Sequence, residues 1–301
     1  MSTTDIARST PVKVRPSLRR RVSDKVARFG IYLAVVVALA PLVAVLFAVV
    51  KQGIARLDVE FLMFSMRNIG ATDAGGGAYH AIVGTAEQVG LAALLSVPVG
   101  ILVAIYLVEY GGNGKLARSV NFVIDVMTGI PSIVAGLFVL AFWVLALGQG
   151  FSGFAGAIAL SILMLPVVVR SSEEMFRLVP NDLREAALAL GVPRWLVVLK
   201  VVLPTAAAGL VTGLMLAVAR VTGETAPLLL TVFFTDSINF NPFSGPQIGL
   251  AQYVFDQASR PTDAAITRAW AGALTLVAGV LLLNIAARAL ARWKAPKVHR
   301  H

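Results

Sequence analysis

The sequence alternates between long apolar runs and shorter polar segments. The six apolar runs cover residues 29–50, 80–107, 120–147, 154–170, 204–226 and 266–287. A helix of about 20 apolar residues is long enough to cross the hydrocarbon core of a bilayer. Pro41 lies inside the first run, where it predicts a kink in a spanning helix. The pattern therefore predicts an all-α polytopic membrane protein with six transmembrane helices.

The polar segments define the predicted domain organisation. Residues 1–28 and 291–301 are basic tails, and residues 29–290 form one six-helix transmembrane domain. Because the N-terminal tail is rich in arginine and contains prolines, we expect it to be mostly flexible.

Composition strengthens the membrane assignment. Hydrophobic residues make up 57% of the 301 residues and charged residues only 14%, whereas soluble proteins carry about 25% charged residues. The mean hydropathy of +0.81 is typical of an integral membrane protein. The sequence contains no cysteine, which excludes disulfide bonds, thiolate metal sites and cysteine nucleophiles.

The net charge of +10 is distributed unevenly between the two sides of the predicted helices. Most lysines and arginines lie in the tails and in segments 109–118 and 171–204. The opposite segments, 51–78 and 235–265, hold only Lys51, Arg56, Arg67 and Arg260. By the positive-inside rule, both termini face the cytoplasm, and the protein is a multi-pass protein of the cell membrane. Basic residues that flank apolar runs do not form a nucleic-acid groove, so we expect no nucleic-acid partner.

Residues 171–204 are the longest polar segment on the predicted cytoplasmic side. Asn181 and Asp182 are suited to cap the start of a helix. Gly191 is suited to end that helix, and Pro193 is suited to the first turn of the next one. The segment therefore predicts an ordered helix, glycine turn and second helix outside the membrane.

Arg220 and Glu224 are unusual because they lie in the fifth apolar run. Four residues apart in a helix, they would share one face and form an ion pair. Arg220 lies about 24 Å along the helix from Pro204, and an arginine in hydrocarbon costs at least about 2.5 kcal/mol. One hypothesis is that Arg220 attracts a passing oxyanion while Glu224 holds its guanidinium. The alternative is an ion pair that only fixes packing.

Three other charged residues lie near the ends of apolar runs. Arg170 is a second candidate for contact with an anion, and the alternative is an arginine that only extends to the membrane interface. Glu87 is expected to reach headgroup water, and Asp125 is expected to lie at the interface.

Local patterns also predict how the helices bend and pack. Gly209 and Gly213 lie four residues apart, which predicts close approach of a neighbouring helix. The sequence Gly129-Ile130-Pro131-Ser132 predicts a bend in the third run. A short amphipathic helix on the outer membrane surface is predicted from the spacing of Ile248, Ala251, Gln252 and Phe255.

The sequence holds no convincing motif for catalysis or nucleotide binding. Gly114-Lys115 lacks the first glycine and the Ser/Thr of a P-loop, and residues 148–153 match a dinucleotide motif only in their letters. The three histidines, His80, His299 and His301, are scattered. We therefore expect no enzymatic activity, no metal site and no cofactor.

Residues 185–204 carry a motif with fixed spacing. Glu185-Ala186-Ala187 is followed by Gly191, then by Val201 and by Leu203-Pro204. This arrangement resembles the EAA loop of binding-protein-dependent ABC importer permeases, which inserts into a cleft of a cytoplasmic ATPase. The resemblance implies a role in ATPase coupling for Glu185, Ala186, Ala187, Gly191, Leu203 and Pro204.

Three further blocks narrow the resemblance. They are Val108-Glu109-Tyr110, residues 129–138, and Arg220 with Glu224-Thr225-Ala226-Pro227. Together they resemble the PstA-type permeases of phosphate-specific ABC importers, from about residue 79 to the C-terminus. The resemblance implies the architecture of a type I ABC importer permease in a bacterial inner membrane.

Several partners follow from the resemblance alone. They are a second, PstC-type permease in a heterodimer, a PstB-type ATPase pair that hydrolyses ATP, and an extracytoplasmic PstS-type phosphate-binding protein. The chain itself would form half of the phosphate path within membrane lipid, with Arg220, Glu224 and Arg170 as candidate path residues.

Two alternatives stay open at this stage. An intramembrane arginine is equally compatible with sulfate or molybdate, so the chain could be a permease for another oxyanion. An ion-gradient-driven secondary transporter would explain the six spans and the charged pair, but not the spacing within residues 185–204.

Overall fold

The computed structural model describes residues 18–294. The tail residues 1–17 and 295–301, which include His299 and His301, lie outside the described residues. Between residues 18 and 294 the chain folds into helices joined by short segments and forms no β-strand, which confirms the predicted all-α class.

The α-helices of this range are numbered in chain order. They are α1 (Leu18–Gly53), α2 (Val59–Met63), α3 (Tyr79–Ile105), α4 (Lys115–Thr128), α5 (Ser132–Val139), α6 (Gly153–Arg177), α7 (Asn181–Ala189), α8 (Arg194–Val197), α9 (Leu203–Thr222), α10 (Ala226–Thr231), α11 (Leu250–Ala258) and α12 (Asp263–Lys294). Wider π-helical turns extend α3 (Tyr106–Tyr110), extend α5 (Leu140–Ala146) and join α8 to α9 (Val198–Val202).

The chain divides into two compact units, residues 1–48 and 49–301. The described part of the first unit is residues 18–48, which form most of α1, a helix whose side chains are mostly exposed. This helix begins at Leu18, so residues 18–28 are helical where a flexible tail was expected. The reason is local, because no proline or glycine interrupts residues 18–29.

The predicted spans correspond to long helices. Five described helices are long and apolar enough to cross a membrane, and α4 with the extended α5 would make a sixth crossing as one broken span. This pair is bent by 103°, which confirms the bend expected at residues 129–132.

Two helices differ in extent from the predicted spans. The structure extends α6 to Arg177, past the expected end near Arg170, because residues 171–177 contain no helix-breaking residue. The fifth span begins at Arg194 instead of near Pro204 and ends at Thr222. Both ends of the polar segment 171–204 therefore belong to long helices.

The second unit is built around the contact between α3 and α6, against which α9 and α10 also pack. Glycines allow α9 to approach α6 closely. A Cβ added at Gly209 would lie 2.2 Å from Met175 Sδ, and one at Gly213 would lie 2.8 Å from Ser171 Cβ. The close approach predicted from these two glycines is confirmed.

The helix α3 runs between two ends of this unit. At its start, the His80 ring packs edge-on against Tyr253 of α11, with ring centroids 5.6 Å apart. At its far end, Glu109 pairs with Arg184 of α7. These regions are named the α11 end and the α7 end below.

The predicted amphipathic helix in residues 235–265 forms as α11, which begins at Leu250, so that Ile248 precedes it. Ala251 and Gln252 are buried, and α11 packs against α12 and α3. Phe255 is exposed. The helix is therefore packed into the bundle through its buried face.

Candidate functional site

The EAA residues lie on α7, a helix with no buried residue. Glu185 and Ala186 are exposed, and Ala187 is partly buried. Because α7 presents an exposed face with the Glu185 carboxylate on it, this helix is suited to bind another protein. The predicted coupling residues Glu185 and Ala186 therefore lie on an exposed helical surface.

The start of α7 differs from the prediction. Pro180 takes the non-helical cap position, and neither Asn181 nor Asp182 caps the helix, because both already lie inside it. Proline suits this position because it has no backbone N–H that needs a partner. The Asn181 side chain instead accepts a hydrogen bond from Arg184 Nη1 at 3.0 Å.

The end of α7 is a glycine turn, as predicted. Gly191 has φ +78°, its N–H donates to Leu188 O at 2.9 Å, and Val192 N–H donates to Ala187 O at 3.2 Å. This pair of bonds defines a Schellman motif. A Cβ at Gly191 would meet nothing within 4 Å, so the turn requires glycine for its backbone angle and not for space.

Leu203 and Pro204 occupy the first turn of α9, which continues α8 and the π turn as one long helix from Arg194 to Thr222. A proline in a helix removes one hydrogen bond and crowds the preceding turn. Here that turn is the wider π turn Val198–Val202, in which Leu203 N–H donates to Val198 O. We infer that the π turn accommodates Pro204 and keeps α8 and α9 joined as one continuous helix.

A charged contact that the sequence did not reveal holds α7 to the bundle. Arg184 pairs with Glu109 of the π turn after α3, with Nη2 and Oε1 2.9 Å apart. Its guanidinium also donates to Val179 O at 2.6 Å and to Phe176 O at 2.7 Å, at the end of α6. The side chains of Arg184 and Glu109 are only 14% and 13% exposed.

A hydrophobic cluster lies beneath α7. Its buried members come from α3, the end of α6, α8, the following π turn and α9, and Ala187 and Val192 pack against it; they are Ala104, Phe176, Val179, Val197, Val202, Ala206 and Leu210. The glycine turn is therefore fixed to the same core as the start of α9.

Arg220 and Glu224 do not form the predicted ion pair. The helix α9 ends at Thr222, Gly223 is its C-cap, and the next helix begins at Ala226. The spacing of four residues therefore no longer places both side chains on one helical face. Among the ion pairs of residues 18–294, Arg220 and Glu224 have none with each other.

Arg220 belongs to an exposed stripe along α9. At helical spacing the stripe contains Thr205, Ala208, Thr212, Leu216, Arg220 and Gly223. A cationic side chain is costly to expose to lipid tails. Small and hydroxyl side chains are enriched where helices in a membrane pack against each other. This surface is therefore suited to face protein or water.

Two of the sequence blocks that defined the family resemblance meet beside this stripe. Gly136 of α5 faces Pro227 of α10, where an added Cβ would lie 2.7 Å from Pro227 Cα. The short helix α10 packs on α5, so the chain after Arg220 is held by the bent α4–α5 pair.

Arg170 is more firmly bound than the sequence suggested. Its guanidinium contacts Asp125 of α4 at 2.5 Å and Glu173 at 2.7 Å, and it donates to Asn121 Oδ1 at 2.8 Å. Glu173 also pairs with Arg177. Asp125 is therefore an ion-pair partner of α6, and Arg170 links α4 to α6.

A second polar cluster lies towards the α11 end. Gln247 Nε2 donates to Glu87 Oε2 at 2.5 Å and to Asn239 O at 3.0 Å, and Gln88 Nε2 donates to Gln247 O at 2.8 Å. Gln88 and Gln247 are buried. Glu87 thus anchors the segment before α11 in addition to any contact with water.

Arg268 is a fully buried arginine that the sequence analysis missed. It donates to Gln257 Oε1 at 2.8 Å and to the backbone oxygens of Asp73, Gly75 and Ala71 at 2.5, 3.1 and 3.2 Å. These bonds join α11, α12 and residues 71–75. Their role is structural, because all four acceptors are neutral and belong to the fold.

A cavity of about 750 Å³ lies between α6, α9 and α12. Its polar lining includes Ser171, Glu174, Thr212, Asn284 and Arg288. The candidate path residues Arg220, Glu224 and Arg170 are not among its lining residues. Within residues 18–294, no group of three His, Cys, Asp or Glu side chains is placed to hold a metal ion.

Comparison with known proteins identifies relatives along most of the chain. Residues 96–300 match the family of binding-protein-dependent transport system inner membrane components. The phosphate transport system permease protein PstA 1 of Mycobacterium tuberculosis (strain ATCC 25618 / H37Rv) is 45% identical over 96% of this chain and 94% of its own length. PstA of Mycobacterium leprae (strain TN) is 44% identical over 93% and 95%, and PstA of Pasteurella multocida (strain Pm70) is 39% identical over 89% and 94%.

Solved structures share the fold. A chain of the inward-facing MetNI methionine ABC transporter has a TM-score of 0.57 at 22% identity, over 72% of this chain and 94% of that chain. A chain of a bacterial ABC transporter that imports the acidic polysaccharide alginate has a TM-score of 0.57 at 14% identity, over 92% and 99%. The chain therefore belongs to the family of binding-protein-dependent transport permeases with the type I ABC importer fold, and within it to the PstA phosphate transport system permease proteins.

Proposed function

We propose that this chain is the PstA-type permease subunit of an ATP-driven phosphate importer in a bacterial inner membrane. The proposal is supported above all by the exposed EAA helix α7 in a chain that resembles phosphate permeases along nearly its whole length. The permease forms half of the path and performs no chemistry. ATP is hydrolysed by a separate ATPase pair of the PstB type.

The ATPase binds α7. Glu185 and Ala186 lie on its exposed surface, and Leu190 at its end is 83% exposed, so a partner would cover both charge and apolar area. Gly191 fixes the direction in which the chain leaves the helix. The π turn and Leu203-Pro204 then connect this surface to α9.

The other partners are a second permease of the PstC type and a PstS-type phosphate-binding protein. The exposed stripe of α9 faces the second permease across the path, which removes Arg220 from lipid. Because Arg220 is not paired with Glu224, its guanidinium is available to attract an oxyanion. Arg170 is already bound to two carboxylates, so we rank it below Arg220 as a path residue.

The α7 end faces the cytoplasm, and so do both termini. This orientation is supported by the positive-inside rule, since the α7 end carries Arg177, Arg184, Arg194 and Lys200. The chain lacks cysteine, so a single cysteine introduced at Leu190 reports its side of the membrane. Labelling of intact cells by an impermeant thiol reagent would contradict this orientation.

ATP binding and hydrolysis move the ATPases and, with them, α7. The rigid connection from the glycine turn to α9 then tilts the helix that carries Arg220. Rigid-body rocking of this kind exposes a site alternately to the two sides of a membrane.

The test is uptake of radiolabelled phosphate in cells that lack the chain and in cells complemented with it. We expect complementation to restore uptake, with unlabelled phosphate competing strongly and sulfate and molybdate weakly. Stronger competition by sulfate or molybdate would identify another oxyanion as the substrate. The Arg220→Gln variant, at normal membrane level, should lose most uptake, whereas a wild-type rate would remove Arg220 from the path.

A further inference from the structure

The helix α7 reaches the bundle by two different routes. It packs directly against α8 and the following π turn, which lead into α9. Besides the short link 178–180 to α6 and the apolar packing of Ala187, its polar contacts with α6 and with the π turn after α3 run through Arg184, whose guanidinium contacts Glu109 and the end of α6. Because α7 has no buried residue of its own, this side chain is its principal polar anchor on those two helices.

The chemistry of this contact is specific to arginine. Phe176 lies in the last turn of α6, and Val179 lies just after its end. Carbonyls at a helix end lack the regular helical partner, although Val179 N–H donates to Phe176 O at 3.3 Å. A planar guanidinium can donate to both oxygens and to the Glu109 carboxylate at once, which a lysine ammonium cannot do in the same geometry. Glu109 compensates the charge in a region where both side chains are mostly buried.

We propose that Arg184 is a positioning residue that transmits movement of α7 to α3 and α6, with Glu109 as its partner. The inference rests on the proposed function, in which an ATPase moves α7. With the contact intact, α3, α6 and α9 move together as one body. Without it, α7 moves α9 alone, and ATP hydrolysis is no longer converted fully into opening and closing of the path.

The experiment uses the complete importer, with both permeases, the ATPase pair and the phosphate-binding protein, in proteoliposomes. Phosphate import and ATP hydrolysis are measured in parallel, and their ratio is compared for wild type, Arg184→Gln, Glu109→Gln and the double variant. We expect each single variant to lower the phosphate imported per ATP by about tenfold, as for loss of one member of a mostly buried charged hydrogen bond. The double variant should be no worse than either single one.

Two further variants complete the design. Arg184→Lys keeps the charge but not the fork of donors, so its ratio should fall between those of wild type and Arg184→Gln. Arg177→Gln is the matched control, because Arg177 is exposed at the end of α6 and pairs only with Glu173 among the ion pairs of residues 18–294. Its ratio should equal that of wild type.

Each outcome is decisive. Import and hydrolysis that fall in proportion, or a ratio unchanged in Arg184→Gln, would show that Arg184 only supports folding. Additive losses in the double variant would overturn the partnership with Glu109. If Arg184→Gln does not assemble, Glu109→Gln and Arg184→Lys carry the test, and wild-type ratios in both overturn the proposal. A wild-type complex that hydrolyses ATP without importing phosphate overturns the proposed function itself, and the inference with it.

Discussion

The α11 end and the α7 end use their polar residues differently. At the α11 end they are buried and hydrogen-bonded to other groups of the same chain; they include Gln88, Gln247, Gln257 and Arg268. At the α7 end, the carboxylate of Glu185 and the apolar surface around Leu190 are exposed. One mostly buried arginine, Arg184, anchors α7 to the helices α3 and α6.

This difference indicates which end is rigid and which is prepared for a partner. A buried polar network fixes one arrangement, because any displacement leaves a donor or acceptor unsatisfied. An exposed short helix with few anchors gains stability only when something binds it. Changes at the α11 end should therefore reduce stability first, and changes at the α7 end should reduce transport first.

The largest expected effect on stability is that of Arg268→Met. Methionine retains the apolar stem but removes the arginine donor from Gln257 Oε1 and from the backbone oxygens of Asp73 and Gly75 in a buried site, whereas Ala71 O keeps its bond from Thr262 Oγ1. We expect a loss of about 3 kcal/mol or more, because each unsatisfied buried acceptor carries a desolvation cost. The measurement is the midpoint of thermal denaturation of the purified importer in detergent.

Arg260→Met is the matched control at the same end. Arg260 is one-third exposed and pairs with Asp256 four residues earlier, at 2.8 Å. A pair of this kind contributes about 0.5 kcal/mol or less. Equal midpoints for the Arg268 and Arg260 variants would contradict the description of the α11 end as a buried polar network.

Two glycines, one at each end, should give the next largest losses of stability. A Cβ at Gly84 would lie 2.1 Å from Ile248 O, so Gly84→Ala forces backbone apart and should cost about 2–3 kcal/mol. A Cβ at Gly191 would touch nothing, so Gly191→Ala should cost only about 1 kcal/mol for its positive φ.

Asparagine distinguishes the two causes. Because asparagine tolerates the left-handed conformation, Gly191→Asn should be milder than Gly191→Ala, whereas Gly84→Asn should be worse than Gly84→Ala. Denaturation midpoints of the four variants decide the matter. The same order of alanine and asparagine at both positions would show that one constraint acts at both.

Most of the fold follows from the sequence, because only long apolar helices satisfy both the hydrophobic effect and the backbone hydrogen bonds in a membrane. The helix that carries Glu185 and the turn at Gly191 could also be predicted, since a helix and a glycine turn depend on neighbouring residues. The end of α9 could have been predicted too, but the ion pair expected between Arg220 and Glu224 was wrong. Gly223 and Pro227 are a helix C-cap and a first-turn proline, and they separate Arg220 from Glu224.

The remaining contacts could not be predicted from local rules. Arg184 and Glu109 lie 75 residues apart, and Arg170 and Asp125 lie 45 apart. Nothing in a helical period or a capping preference selects such partners, because they are set by which helices become neighbours. The end of α6 and the start of the fifth span differ from the prediction for a related reason. A polar segment outside the hydrocarbon can continue a helix, and the π turn before Pro204 keeps that helix intact.

The smallest expected change in stability is that of Glu185→Ala. Glu185 is exposed and forms no ion pair among those of residues 18–294, and alanine is a good helix former, so the unfolding free energy should change by less than about 0.5 kcal/mol. Phosphate uptake should nevertheless fall severalfold, because the proposed ATPase loses a charged contact on α7. Glu174→Ala, an exposed change on α6 outside the motif, should leave uptake intact. A Glu185 variant that melts early, or that imports phosphate at the wild-type rate, would mean that the α7 end is not the partner-binding end, and the contrast with the α11 end would then lose its functional meaning.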